Sequence, residues 1–138
     1  MDYSTFNTKN FFIKKNSTLP ELKYPLIQQI REQYDISEEM LENVAVTFSM
    51  VDADTGLYQI ANVAANLVVN NDRENFPDEE QYTLTYRFKL SQTARTGRYL
   101  ANFTIDFLGD ECGGKIGLPI SGFINVIITD SSTKTTVI

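Results

Sequence analysis

The chain has 138 residues, of which 42% are apolar and 12% aromatic, and its formal charge at pH 7 is −6. This length and composition predict one globular domain with its own hydrophobic core, and they exclude an intrinsically disordered chain. The acidic balance argues against a nucleic-acid partner, because no excess of Lys and Arg exists to displace counterions from a phosphate backbone.

The sequence contains one cysteine, Cys112, and no histidine. A single cysteine excludes an intrachain disulfide framework and is typical of a protein assembled in a reducing cytoplasm. Without histidine no Ser-His or Cys-His pair exists, which removes most hydrolase mechanisms. Residues 1–10 lack the order of a signal peptide, and no apolar run has the length of a membrane span. We therefore predict no enzyme activity, catalytic residue, cofactor, small-molecule substrate or membrane contact.

In chain order, residues 1–10 are predicted to form a flexible, solvated arm. Phe11 to Ile13 then forms a short first strand. Leu19 to Leu26 alternates between apolar and other residues, but it contains two prolines, which cannot donate to a strand ladder. Prolines of this kind are confined to edge strands, so this segment is predicted to lie at a sheet edge.

Helical spacing of apolar residues follows in a segment rich in Gln, Arg and Glu. It predicts an amphipathic helix over residues 26–34. A second short turn is predicted over residues 37–42, with Asp35 or Ser37 as its cap. Together these form a helical insertion near residues 26–42 that covers one end of the domain.

From Val44 to Val51, large apolar residues occupy every second position. This alternation predicts a strand that ends in the turn Asp52 to Gly56. Leu57 to Ala61 is predicted to return as its partner, and Ala64 to Val69 to form a separate strand. The spacing of Asp and Gly in the turn invites comparison with a calcium loop. That loop requires glutamate at its twelfth position, where this chain has Val63, so we predict a plain hairpin turn without metal.

Two long alternating runs, Tyr82 to Leu90 and Tyr99 to Phe107, flank a turn at Thr96 to Tyr99. Each run presents one apolar wall and one polar wall, because successive side chains of a strand point to opposite faces. The two runs are predicted to be adjacent antiparallel strands.

The remaining segments are a glycine-rich hairpin at Gly109 to Gly114, a short strand at Lys115 to Pro119, and an apolar last strand at Phe123 to Thr129. The last strand is predicted to be buried on both faces or to lie at a contact. Roughly seven to nine short strands without alternating helices predict an all-β, immunoglobulin-like antiparallel β-sandwich over residues 11–130, followed by a tail over residues 131–138.

Three stretches of the sequence point to a known family: Phe11 to Pro20, Val46 to Met50 with the Asp-Thr-Gly turn that follows it, and Thr96 to Phe103. Together they resemble the immunoglobulin-like N-terminal domain of phage baseplate upper proteins and related small immunoglobulin-like virion proteins of tailed phages. The resemblance covers Phe11 to Asp130, and its most specific part is Gly97-x-Tyr99-x-x-x-Phe103. In that family the domain is a docking module that fixes other virion proteins and performs no chemistry.

The resemblance implies a non-enzymatic structural protein of a tailed-phage virion, a component of the tail, baseplate or neck that is assembled in the cytoplasm of the host bacterium. Its partners would be other virion structural proteins and copies of itself. One alternative is a head decoration or auxiliary capsid protein of the same fold. Another is a carbohydrate-binding β-sandwich in which exposed aromatic residues stack on sugars, with Tyr3, Tyr24 and Tyr58 as candidates.

Contacts with partners are predicted at the proline-bearing edge, at the apolar last strand and at two charged segments. The basic start of the domain and the acidic loop at residues 70–80 are oppositely charged and suit a head-to-tail contact between copies. The predicted interaction residues are Lys14, Lys15, Leu19, Pro20, Leu22, Tyr24, Asp78, Glu79, Glu80 and Phe123.

Overall fold

The protein is mostly β-structure with one short α-helix. The computed structural model describes residues 10–70, 81–110 and 114–130. Its elements are β1 (Asn10–Lys14), β2 (Leu22–Pro25), α1 (Gln28–Gln33), β3 (Val44–Asp52), β4 (Tyr58–Val69), β5 (Tyr82–Tyr86), β6 (Gly97–Phe107), β7 (Lys115–Leu118) and β8 (Ile124–Thr129). Single 3-10 turns lie at Met40–Glu42 and Leu90–Thr93. The predicted hairpin around Gly109 to Gly114 lies partly outside the described residues.

The described strands form an 8-stranded mixed sheet that bends into a nearly closed barrel. Neighbouring strands follow the order β1-β8-β6-β3-β4-β5-β2, and β7 pairs with the second half of β6. β1 and β8 are parallel, with Asn10 opposite Asn125, so the prediction of a purely antiparallel sheet is wrong. Because β1 and β2 are the two ends of this order, the barrel is open between them.

Strand β4 joins the two layers of the barrel. Its first part pairs with β3 as far as Ala65, and its second part pairs with β5. The prediction of two separate strands here is wrong: one strand runs through, with register shifts around Met50 and with Asn62 in the left-handed region at φ 49°. Because β4 is unbroken, the layers are continuous along this side. The fold is therefore not clearly the two-layer immunoglobulin sandwich that the sequence predicts.

The core lies between the two layers and is centred on aromatic rings. The Phe48 ring is 4.3 Å from the Tyr86 ring and 5.1 Å from the Phe103 ring, measured between centroids. Phe48 and Phe103 are fully buried, and burying each ring contributes about 1.5–3 kcal/mol. The predicted apolar walls are confirmed except at Leu90, which is exposed; the buried residues are Tyr82, Leu84, Tyr86, Phe88, Tyr99, Ala101, Phe103, Ile105 and Phe107.

β5 and β6, however, are not neighbours, contrary to the prediction. β5 pairs with β2 and β4, whereas β6 pairs with β3, β7 and β8. β5 ends at Tyr86, and the chain then forms the 3-10 turn in which Leu90 is 60% exposed. The connection therefore crosses from one layer to the other. The two apolar walls face each other across the core instead of lying side by side.

Side chains of this crossing connection hold it in place. The Tyr86 hydroxyl donates to Gln92 Oε1 at 2.9 Å, and Thr93 Oγ1 donates to the Ser17 carbonyl at 2.8 Å. Asn16 N in turn donates to the Thr93 carbonyl at 2.9 Å. Burial raises the pKa of Tyr86, and its hydrogen bond to Gln92 opposes that change. The connection is thus tied both to β5 and to the loop between β1 and β2.

Tyr99 fixes the start of β6. Its ring is 1% exposed, and its hydroxyl donates to the Arg95 carbonyl at 2.9 Å. Gly97, two residues earlier, has φ 144°, a conformation that side chains rarely adopt. Burial raises the pKa of Tyr99, the Asp52 carboxylate adds to that increase, and the Arg95 guanidinium opposes it. The phenol thereby links the crossing connection to the strand that follows it.

The helix predicted over residues 26–34 is shorter in the structure, since α1 spans only six residues. Arg31 anchors it: Nε donates to the Leu26 carbonyl at 3.0 Å, and the guanidinium carbon lies 4.8 Å from the Tyr82 ring centroid. The N-cap of the 3-10 turn at Met40–Glu42 is Glu39, not the predicted Asp35 or Ser37. Ser37 Oγ does accept a hydrogen bond from Met40 N at 3.2 Å, at the start of that turn. The residues that the insertion adds to the core are Leu26, Ile36 and Leu41.

Candidate contact surfaces

One outward face of the sheet carries two groups of apolar side chains in neighbouring rungs. It crosses β1, β8, β6, β3 and the first part of β4. In one rung Phe12 lies opposite Ile127; in the next, Val51 lies opposite both Leu100 and Tyr58. Phe12 is 57% exposed and Tyr58 is 67% exposed, while the other three are partly buried. We call these five residues the apolar band.

Two cations lie among or next to the residues of the apolar band. Arg98 is opposite Ile127, and its Nη1 donates to Asn125 Oδ1 at 3.3 Å. Lys14 is exposed at the end of β1. Arg98 therefore lies in the rung of Phe12 and Ile127, between them and β3, and Lys14 lies beside Phe12 on β1.

A polar pair closes the other border of the band. Ser49 Oγ donates to Asn62 Oδ1 at 3.2 Å and accepts from Asn62 N at 2.9 Å. These bonds hold the irregular part of β4 against β3. Tyr58 is consequently presented from a strand of fixed conformation.

The Asp52 to Gly56 turn is a plain hairpin turn, as predicted. Asp52 Oδ1 accepts hydrogen bonds from Asp54 N at 2.8 Å and from Thr55 N at 3.2 Å, and Gly56 has φ 75°. The carboxylate is therefore used in shaping the backbone. Within the described ranges, no group of three or more His, Cys, Asp or Glu side chains is arranged to hold a metal ion.

The predicted interaction residues are divided between the surface and the core. Lys14, Leu19, Pro20 and Phe123 are exposed, and Lys15 is partly buried. Asp78, Glu79 and Glu80 lie outside the described residues.

Leu22 and Tyr24 do not belong to this surface, because Leu22 is fully buried and Tyr24 is 6% exposed. Both lie on β2, at the end of the strand order, which confirms the predicted sheet edge. The inward side chains of an edge strand still enter the core. Burial first, and Tyr34 second, raise the pKa of Tyr24 to about 12.

The aromatic residues considered for sugar stacking are separated as well. Tyr58 is exposed on the apolar band, Tyr24 is in the core, and Tyr3 lies outside the described residues. A stacking platform of Tyr24 and Tyr58 is therefore excluded.

The sequence reasoning missed most of the apolar band. Phe12 and Ile127 have the parity opposite to the buried residues Ile13 and Val126 on their strands. This parity could have indicated a contact surface from the sequence. An apolar residue at an outward position of a half-buried strand points away from the core.

Comparison with protein-family models, with curated proteins and with solved structures found no match. Among the described residues, no helix has the length and apolar character needed to cross a membrane.

Proposed function

We propose that this chain is an immunoglobulin-like, non-enzymatic docking protein of a tailed-phage virion, acting through protein contacts. The strand order supports the assignment to the immunoglobulin-like fold. One layer contains β1, β8, β6, β3 and the first part of β4, and the other contains the second part of β4 with β5 and β2. Immunoglobulin domains divide their strands between two layers in a comparable way, with the crossing connection placed before the sixth strand.

Tyr99 gives this assignment a local marker. Immunoglobulin-like domains often have a tyrosine near the start of that strand whose hydroxyl bonds to the backbone a few residues upstream. The bond from Tyr99 to the Arg95 carbonyl has this geometry. Gly97 and Tyr99 also belong to the motif that carries the resemblance to the phage proteins.

The apolar band is the observation that carries the docking role. Single exposed apolar residues are ordinary, but exposed apolar residues grouped on one face together with polar residues are typical of a protein contact. Phe12 and Tyr58 are aromatic, the class enriched at the centres of interfaces, and they project from paired strands. Docking there would require little rearrangement.

The first experiment is mass spectrometry of purified particles of the phage that encodes the chain. The protein is expected as a multicopy component, and its absence from the particles would overturn the proposal. The virion part then follows from cryo-electron microscopy of the same particles, which distinguishes a tail or baseplate location from head decoration.

A matched pair of variants tests the surface itself. Phe12 and Leu90 are exposed to similar extents, 57% and 60%, but Leu90 lies on the crossing connection. Phe12→Asp is expected to fold and to be lost from particles, while Leu90→Asp is retained. Equal incorporation of the two variants would remove the band from the proposal.

The carbohydrate-binding alternative rests on Tyr58, which is 67% exposed. A glycan array probed with the wild type and with Tyr58→Ala separates the two functions. Binding that is lost in the variant would favour the sugar-binding function.

A further inference from the structure

Charge is divided between the two ends of the domain. The connections at residues 15–21 and 87–96 meet at one end, where hydrogen bonds join them. The helical insertion lies at the other end, since Leu26 N donates to the carbonyl of Tyr82, the first residue of β5. β6 runs from the first end to the second, and its 11 residues span about 33 Å. This separation exceeds the Debye length of about 8 Å at physiological salt, so each end acts on a partner through its own charges.

The first end is basic in a chain that is acidic as a whole. The sequence contains no Asp or Glu at residues 3–20 or at residues 81–105. The cations that these two segments place at this end are Lys14, Lys15, Arg87, Lys89, Arg95 and Arg98, and all except Lys15 are exposed. The described acids at the same end are Glu21, Asp52, Asp54 and Asp130. Six cations against four acids give this surface, which we call the basic end, a charge of +2.

The second end is acidic. The sequence contains no Lys or Arg between Arg31 and Arg73. The exposed acids of the insertion are Glu32, Asp35, Glu38, Glu39 and Glu42. Asp106 and Asp110 add to them at the end of β6, and the described cations here are Arg31 and Lys115. Seven acids against two cations give this surface, which we call the acidic end, a charge of −5.

A cavity of about 400 Å³ lies within the acidic end, between the insertion and the turn that follows β6. Glu39 and Asp110 are the acids of its lining, and Met40 and Phe107 are its large apolar residues. Lys and Arg side chains pack an aliphatic stem against apolar surface while the charged head stays among polar groups. The cavity therefore fits the long cationic side chains that the basic end exposes.

The opposite charges of the two ends identify a second copy as the partner. In a two-fold contact each surface meets its own copy, so the basic end would face another basic end. A head-to-tail contact instead sets the basic end of one copy against the acidic end of the next, where the charges are complementary. The net charge of −6 opposes association, but most of the repelling acids would then lie a domain length away and be screened.

We propose that copies of this chain associate head to tail, with the basic end of one copy on the acidic end of the next and a cationic side chain in the cavity. Such a contact is heterologous and repeats, so it builds chains or rings. The sequence analysis expected the acidic side of a head-to-tail contact at residues 70–80, whereas this contact uses the insertion. The inference goes beyond the docking function at the apolar band and does not depend on it.

Sedimentation velocity of the full chain tests the association without any variant. In about 20 mM salt we expect a Kd on the order of 100 μM and species larger than the dimer as the concentration rises. Raising the salt to about 300 mM should weaken the association at least about fivefold, because screening acts on exposed charges. A chain that stays monomeric to about 500 μM in low salt would overturn the proposal. So would association that stops at a dimer or that does not respond to salt.

One pair of variants separates local charge from net charge. Arg95→Gln and Lys115→Gln each remove one positive charge and change the net charge from −6 to −7, but Arg95 belongs to the basic end and Lys115 to the acidic end. Arg95→Gln should raise the Kd about threefold, the effect of one exposed ion pair. Lys115→Gln should leave the Kd unchanged or lower it. Equal weakening by both variants would show that only net charge matters and would contradict the proposal.

A second pair of variants tests the head-to-tail arrangement. Lys89→Gln with Arg95→Gln neutralises part of the basic end, and Glu39→Gln with Glu42→Gln neutralises part of the acidic end. Each double variant alone should associate about tenfold more weakly than the wild type. An equimolar mixture should form a 1:1 dimer with the wild-type Kd and grow no further, because one intact end of each kind remains. Loss of folding could not produce this dimer, and a mixture that associates no better than its components would overturn the proposal.

Discussion

Replacing Tyr99 with phenylalanine isolates one hydrogen bond of the crossing connection. The tyrosine ring is 1% exposed, and the substitution keeps it in place while removing the hydroxyl that donates to the Arg95 carbonyl at 2.9 Å. A hydrogen bond of this kind contributes about 0.5–1.5 kcal/mol to the free energy of unfolding. We expect Tyr99→Phe to lower that free energy by about 1 kcal/mol.

Urea unfolding followed by circular dichroism measures this loss. With a denaturant slope of about 2 kcal/mol/M, a loss of about 1 kcal/mol moves the midpoint down by about 0.5 M. Thermal unfolding should show a decrease in Tm of about 3 °C for a domain of this size. The slope itself should not change, because the apolar surface buried in the core is the same.

Tyr58→Phe is the matched control. It removes the same hydroxyl from a side chain that is 67% exposed on the apolar band. Exposed substitutions of this type usually stay within about 0.5 kcal/mol of the wild type. If the two variants unfold at the same urea concentration, the bond from Tyr99 to Arg95 does not stabilise the connection, and this part of the reasoning is refuted.

Three further substitutions test the core, the insertion and a buried phenol. Phe103→Asp is expected to leave the chain unfolded. Losing the buried ring costs about 3–5 kcal/mol and burying the carboxylate costs several more, against a total stability of about 5–15 kcal/mol. A native-like NMR spectrum of the variant would contradict this. Arg31→Met should lower the free energy of unfolding in urea by about 2–4 kcal/mol, because it removes the hydrogen bond to Leu26 and the contact with the Tyr82 ring. A change below about 0.5 kcal/mol would show that the insertion is anchored elsewhere. Burial raises the pKa of Tyr24 to about 12, whereas the unfolded phenol titrates near 10. The folded state therefore retains a proton that the unfolded state loses. This stabilisation is complete below pH 10 and is lost as the pH rises through 12, by about 3 kcal/mol. Tyr24→Phe should lose stability less steeply over that range, and equal slopes would contradict the assignment.

The features that the sequence predicts correctly are those set by local chemistry. Alternation along β3 and β6 follows from one face being buried, and the structure has Phe48 and Phe103 on that face. The Asp52 turn depends on hydrogen bonds within three residues along the chain. Interactions of such short range are readable from a single sequence.

Strand partners were harder to predict because they depend on distant segments. Tyr82 to Leu90 and Tyr99 to Phe107 have the same pattern whether they lie side by side or in opposite layers. The deciding residues are Gln92 and Thr93, whose bonds to Tyr86 and Ser17 hold the chain in a crossing path. One of these contacts spans 76 residues of sequence, beyond the reach of any local pattern.

The candidate site shows the same division between backbone and side chain. The prolines near Leu22 and Tyr24 correctly predict an edge, since an edge is a property of backbone pairing. They carry no information on where those two side chains point, and both point into the core. Outward parity was the better guide to a contact surface, and it leads to Phe12 and Ile127 instead.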